Sequence, residues 1–179
     1  NLIGSLDLPT SGSVTFDGRD VTLLSENELA ALRNSEIGFI FQSHHLLPQC
    51  NVLENVLIPT IAHGTANKED EDRARRLLER VGLGERLTHR PGKLSGGERQ
   101  RIGIARLLYQ DAPVIFIDEA TSALDEKSEL EIHACLDLLD NKTIVFITHQ
   151  LSTIKKCNKI IVLDDGEIIG VGSHDELIK

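Results

Sequence analysis

The 179-residue sequence contains no methionine and no tryptophan, a single tyrosine and three cysteines. Each shortage removes a class of function. Aromatics at 3% of the chain leave too few rings for a surface that binds nucleic acid by base stacking. Basic residues are outnumbered, 19 Lys and Arg against 28 Asp and Glu, for a net charge of −9. That balance argues against a phosphate-backbone or anionic-membrane footprint. No apolar run approaches the roughly 20 residues needed to span a bilayer. Cys50, Cys135 and Cys157 are widely spaced, fit no metal pattern and leave one over under any pairing, so reduced thiols are the expectation. The missing methionine, in a chain that opens Asn1-Leu2-Ile3-Gly4 without a signal-peptide charge pattern, favours a start in mid-domain.

What is present suits one soluble domain with a real core: 40% hydrophobic and 26% charged residues. Short apolar runs alternate with amphipathic stretches, the signature of α/β architecture. Ser13 to Phe16 reads as a strand before the turn Asp17-Gly18, and Ser25 to Arg33 as a helix with a Ser25/Glu28 capping box. Ile37 to Phe41 is a buried strand running into Gln42. From about Ser43 to Lys93 strand signals vanish. There Asn67 is placed to cap a helix whose apolar face is Ala74, Leu77, Leu78 and Val81, with Gly82 ending it. Val114 to Ile117 and Thr143 to Ile147 are continuous apolar runs, predicted as parallel strands buried on both faces and joined by a helix over Glu126 to Leu139. Lys159 to Val171 reads as a hairpin at the sheet edge, and Ser173 with Glu176 caps a final short helix.

Four places carry chemistry. Leu94-Ser95-Gly96-Gly97-Glu98-Arg99-Gln100 sets two glycines at the start of a long helical pattern, where free N–H groups and the helix dipole suit an anion. Glycines that merely permit a tight turn explain the string equally well. Asp118 and Glu119 close a buried strand, the end at which open α/β sheets bind ligands. Asp118 can hold Mg²⁺ through hard carboxylate oxygen, and Glu119 can polarise a water for attack on a phosphoryl group. A solvated acidic turn is the plain alternative. His149 follows another strand, where it could contact a γ-phosphate and hold the acid and water in place, or simply lie on the surface. Gln42 could coordinate a metal and orient water, although most glutamines at strand ends do neither.

Taken together and in this order, these residues resemble the ATP-binding-cassette (ABC) ATPases over nearly the whole chain. Gln42 falls on the family's Q-loop, Leu94 to Gln100 on its signature, and Val114 to Glu119 on the Walker B strand with its catalytic glutamate. Ser122 to Asp125 falls on the D-loop and His149 on the switch histidine. Ile37 to Gln42, Leu46-Leu47-Pro48 and Asn51 to Val56 look like the lipoprotein-release and macrolide-export group, while Asp118 to Asp125 looks more like fused exporter ATPases. The resemblance implies a P-loop NTPase (RecA-like) α/β core with a mostly parallel sheet, an inserted helical subdomain and a small antiparallel β portion. It implies a single partial ABC domain over residues 1–179. Residues 1–42 and about 108–179 form the core and about 43–107 the helical subdomain. ATP and Mg²⁺ are the implied cofactors. In a head-to-tail dimer, Ser95, Gly96 and Gly97 would meet the γ-phosphate held by the other copy, with Asp125 communicating across the interface. Asp118 and Gln42 would serve the metal, Glu119 the water and His149 the γ-phosphate.

The implied function is an ATP-hydrolysing subunit that drives transmembrane permease subunits from the cytoplasmic face of the inner membrane. It would pair with a second ATPase subunit, identical or not, for export or for lipoprotein or lipid extraction. The alternatives are a non-transport membrane complex of the cell-division type and a soluble ABC protein acting on DNA or ribosomes; no nucleic-acid partner is expected. The family's Gly-x-x-x-x-Gly-Lys-Ser/Thr loop does not occur in the sequence. Asn1 to Gly4 looks like the later part of the helix that normally follows it. Residues 1–179 alone are therefore expected to bind ATP poorly, not to turn it over, and to be aggregation-prone through an unpaired strand edge.

Overall fold

The computed structural model describes residues 4, 6–7, 9–41, 45–61, 64–119, 126–139 and 141–178. Strands β1 (Thr15–Phe16) and β2 (Arg19–Asp20) form a hairpin about Asp17-Gly18. Both turn residues have positive φ, +47° and +75°, as a type I′ turn requires. Helix α1 (Glu26–Ser35) starts at the Ser25/Glu28 capping box and buries Leu29 and Leu32. After β3 (Ile37–Ile40) come three helices, α2 (Val52–Ile61), α3 (Lys68–Arg80) and α4 (Gly96–Gln110). Helix α3 begins at an Asn67/Asp70 capping box, buries Ala74, Leu77 and Leu78, and is followed by Gly82 at φ +73°. The chain then runs through β4 (Val114–Asp118), α5 (Glu126–Leu136), β5 (Thr143–Ile147) and α6 (Leu151–Ile154). It ends in β6 (Ile160–Asp164), β7 (Glu167–Gly172) and α7 (His174–Leu177).

Strands β3, β4 and β5 form a parallel sheet in that order, with Ile40 opposite Ile117 and Asp118 opposite Ile147. In-register parallel strands end together, so the residues that follow them emerge at one edge. The larger core lies between this sheet and α2 to α5, where Val52, Val56, Leu78, Ile102, Ile104 and Ile132 are fully buried. The smaller core packs α1 and Val21 against Ile37 and Phe116. Buried polar groups tie the layers together. Asn55, fully buried, accepts from the Leu47 amide and donates to the carbonyls of Leu47, Cys50 and Asn51. Arg106 on α4 reaches the same asparagine, donating to its backbone and side-chain oxygens at 3.0 and 3.2 Å. Gln110 donates to the carbonyls of Arg33, Asn34 and Ile37, fixing the end of α4 against α1 and β3. All three cysteines are free thiols.

Two expectations need correction. Strand β5 is not buried like β4: none of its residues is fully covered and Ile147 is 49% exposed. It is the last strand of the parallel sheet among the described residues and hydrogen-bonds only to β4, so the apolar run reads as more central than its packing is. Among the described residues the hairpin β6–β7 does not join the edge of that sheet. Among these residues it forms a separate two-stranded sheet with a bulge between Val162 and Leu163. Its Ile161, Leu163, Ile168, Ile169 and Val171 are all more than half exposed.

Two glycines give a paired stability prediction. A Cβ on Gly38 would lie 2.5 Å from Leu107 Cδ2, whereas one on Gly103 meets nothing within 4 Å. Gly38→Ala is expected to destabilise by about 1–3 kcal/mol through overpacking. Gly103→Ala, inside α4, should stabilise by about 0.5–1 kcal/mol through helix propensity. Denaturant unfolding of the two variants, with opposite shifts in midpoint, checks both.

Candidate active site

The acid pair emerges where the sheet's register delivers it. Asp118, the last residue of β4, is half-buried opposite Ile147. Glu119 then leaves the strand in the left-handed region, φ +45°, while its amide still donates to the Ile147 carbonyl at 3.0 Å. A non-glycine residue held there costs about 1–3 kcal/mol and persists only where its surroundings enforce it. That turn aims the Glu119 carboxylate at the second residue after β5, and Glu119 Oε1 lies 3.0 Å from His149 Nδ1. Against a carboxylate acceptor the ring nitrogen is the donor. The imidazole is 73% exposed and the carboxylate 34%, so the pair is open to an incoming ligand. Thr148 Oγ1 accepts from the Gln150 amide at 3.0 Å and shapes the turn that carries the histidine.

The glycine corner is a second locus. Ser95 caps α4 in extended conformation, its Oγ accepting from the Glu98 amide at 3.2 Å and its own amide donating to Glu98 Oε2 at 2.8 Å. The capping box uses those two amides. Gly96 and Gly97, in the first turn, have no partner for theirs within the helix. Arg86 Nε donates to Glu98 Oε1 at 3.1 Å, and Arg99 donates to the Leu94 carbonyl at 2.6 Å. The Ser95 amide, and then Arg86, hold the Glu98 carboxyl below the ordinary carboxylate range.

Of the residues nominated from sequence, the structure brings Glu119 and His149 into contact beside Asp118, and sets Ser95, Gly96 and Gly97 at a helix start. Gln42, Asp125 with the rest of its loop, and Asn1 to Ile3 lie outside the described residues. Phe41, just before Gln42, stacks on Phe39 with centroids 5.3 Å apart and meets His45 edge-on at 4.7 Å. The hollow beside Glu119 and Thr148 holds about 20 Å³, while a cavity of about 180 Å³ lies between β3 and α4. Both are smaller than the roughly 300–1,000 Å³ of small-molecule pockets. Among the described residues no group of three or more His, Cys, Asp or Glu could hold a metal. Arg86, Asn55 and Arg106 were not nominated as site residues: the Arg86–Glu98 and Arg106–Asn55 contacts span 12 and 51 residues, where no local spacing points to them.

Comparison with known proteins fits this geometry. Residues 1–122 match the family model described as "ABC transporter". The chain is 47% identical over 171 residues to the macrolide export ATP-binding/permease protein MacB of Rhodopseudomonas palustris, a match covering 94% of this chain and 26% of that protein. It is 44% identical over 172 residues to the lipoprotein-releasing system ATP-binding protein LolD of Geobacter metallireducens, covering 94% and 76%. A dimeric ATP-binding cassette in a post-hydrolysis state with ADP and Pi superposes with TM-score 0.86 at 38% identity, covering 97% of this chain and 78% of that one. The chain belongs to the ABC transporter family, and its fold is that of the ATP-binding cassette. It spans about a quarter of the length of the macrolide exporters it matches.

The lowered Glu98 pKa carries a sign. A carboxylate depressed in the folded state contributes stability that is present above its unfolded pKa, about 4.3, and is lost as pH falls through the folded value. Glu98→Gln should therefore lower stability near pH 7 and flatten part of the acid limb, the difference from wild type shrinking as pH falls below about 4.3, as read by thermal unfolding against pH.

Proposed function

We propose that this chain forms part of the ATP-binding and ATP-hydrolysing engine of an ABC exporter. The observation that carries the reading is the 3.0 Å contact between Glu119 and His149 at the C-terminal edge of the parallel sheet. Glu119 acts as the general base that polarises the attacking water. His149 holds that carboxylate in place and presents its other ring nitrogen to the γ-phosphate. Gln42 orients the water.

The donor set suits magnesium. Mg²⁺ takes one or two protein oxygens and completes its shell with water and phosphate, and Asp118 offers one carboxylate at the strand end, with no cluster of three or more His, Cys, Asp or Glu around it among the described residues. Asp118 and Gln42 would hold the ion, which when bound neutralises charge on the β- and γ-phosphates. Ser95, Gly96 and Gly97 offer amides and a helix N-terminus to the γ-phosphate of a nucleotide carried by a second subunit, and Asp125 signals across the interface. The dimeric state of the structurally similar cassette supports this arrangement. The chain contains no Gly-x-x-x-x-Gly-Lys-Ser/Thr string, so residues 1–179 do not themselves furnish that phosphate cradle.

The core is residues 1–42 and about 108–179, and the helical part about 43–107. Gln42 and the helices after it face transmembrane permease subunits, so that ATP-driven dimerisation moves the membrane domains. The second ATPase subunit is identical or closely related. The relatives' names, macrolide export and lipoprotein release, favour export or extraction of a lipid-like cargo. No helix among the described residues is long and apolar enough to cross a membrane, which suits a peripheral subunit on the cytoplasmic face.

In the full natural polypeptide containing this sequence, Glu119→Gln should cut ATP turnover by a factor of about 10²–10⁴ and leave an ATP-bound dimer that persists in size-exclusion chromatography. Unchanged turnover contradicts the assignment. Residues 1–179 expressed alone should show no steady-state hydrolysis; turnover from that span, abolished by Glu119→Gln, would overthrow the expectation.

A further inference from the structure

A helix start attracts anions, yet α4 carries an anion of its own there. Glu98 is the third residue of the helix; its carboxylate is 19% exposed and braces the Ser95 amide. Any triphosphate brought to Ser95, Gly96 and Gly97 therefore approaches a fixed negative charge within the same turn, and like charges at close range repel. The compensation comes from outside the helix. Arg86 closes the short 3₁₀ turn Gly84–Arg86, anchored by fully buried Leu83, whose amide donates to the Leu78 carbonyl at 2.7 Å. The Arg86 amide donates to the Leu83 carbonyl at 2.9 Å and its carbonyl accepts from His89 at 2.8 Å, so the backbone beneath the side chain is tied at both ends. Its guanidinium, 46% exposed, takes the outer oxygen of Glu98 while the inner oxygen holds Ser95. Ion pairs this exposed contribute little to stability. Local charge is where the pair matters.

We propose that Arg86 is a positioning residue for the glycine corner: it neutralises Glu98, so that the acid can hold Ser95 in place without repelling the nucleotide of the opposing subunit. The inference rests on the reading of Ser95 to Gly97 as a triphosphate contact. Arg99, a further cation near the corner, donates to the Leu94 carbonyl, whereas the Glu98 carboxylate pairs with Arg86.

The test uses the full natural polypeptide containing this sequence. It measures KM for ATP, and the ATP concentration that half-saturates dimerisation in the Glu119→Gln background. Arg86→Gln should raise both by roughly fivefold at low ionic strength, with kcat within about twofold. The defect should shrink at about 0.5 M salt. The decisive comparison adds Glu98→Gln to Arg86→Gln: with the uncompensated carboxylate gone, the ATP requirement falls back to that of Glu98→Gln alone. A merely structural Arg86 gives a lower melting temperature with an unchanged ATP requirement, or effects of the two substitutions that simply multiply, and either result overturns the proposal. If Arg86→Gln does not fold, Arg86→Lys carries the test: it keeps the charge and should keep the wild-type ATP requirement, and a fivefold rise there overturns it. A wild-type protein that neither hydrolyses ATP nor dimerises with it fails at the earlier step, and the ATPase reading falls with everything built on it.

Discussion

The parallel register between β4 and β5 is the constraint from which the site follows. Because Asp118 stands opposite Ile147, the next residue of one strand and the second of the other leave the sheet side by side. The Glu119 amide makes one more bond to the Ile147 carbonyl, and its backbone then turns into the left-handed region. The carboxylate swings toward His149 as a result. A one-residue slip would put each side chain on the opposite face, separating acid from imidazole. What guards the register is the burial of Ile115, Phe116 and Ile117 on the two faces of β4.

The second locus is built by different means. Ser95, Gly96 and Gly97 owe their place to the local chemistry of a helix start, reinforced by contacts from the turn before it. Helix α4 then runs back into the larger core, where Ile102, Ile104 and Ala105 are fully buried. It ends at Asp111, whose backbone and side-chain oxygens both receive the Lys142 ammonium just before β5. The helix that begins at the glycine corner is thus fastened at its far end to the strand that carries His149. Between those ends, Arg106 couples it through Asn55 to the loop following Gln42. That layout gives the proposed engine rigid connections between its parts.

How much of this the sequence disclosed depends on range. Caps at Ser25, Asn67 and Ser173 and the turn at Asp17-Gly18 are contained within a few residues, and each formed where the pattern placed it. The parallel pairing of the Val114 and Thr143 runs was also legible, because apolar strands joined by a helix have few other arrangements. The exposure of Ile147 and the detachment of β6–β7 were not: an apolar run looks the same whether or not a further strand lies beside it. Glu119 and His149 were each nominated from position after a strand, with the histidine read as able to hold the acid, and the fold places them 3.0 Å apart. The Arg86 to Glu98 and Arg106 to Asn55 contacts join elements whose separation obeys no helical or strand period. A polar residue in a loop or on an amphipathic helix gives no sign of a partner 12 or 51 positions away.

The central claim is that Glu119 and His149 act as one unit, and a kinetic double-mutant cycle tests it most directly. Turnover would be measured for Glu119→Gln, His149→Ala and the double variant in the full natural polypeptide. Residues that work through one another lose their function together, so the account predicts a double variant no slower than the slower single one. Losses that multiply, as for two independent sites, would contradict it.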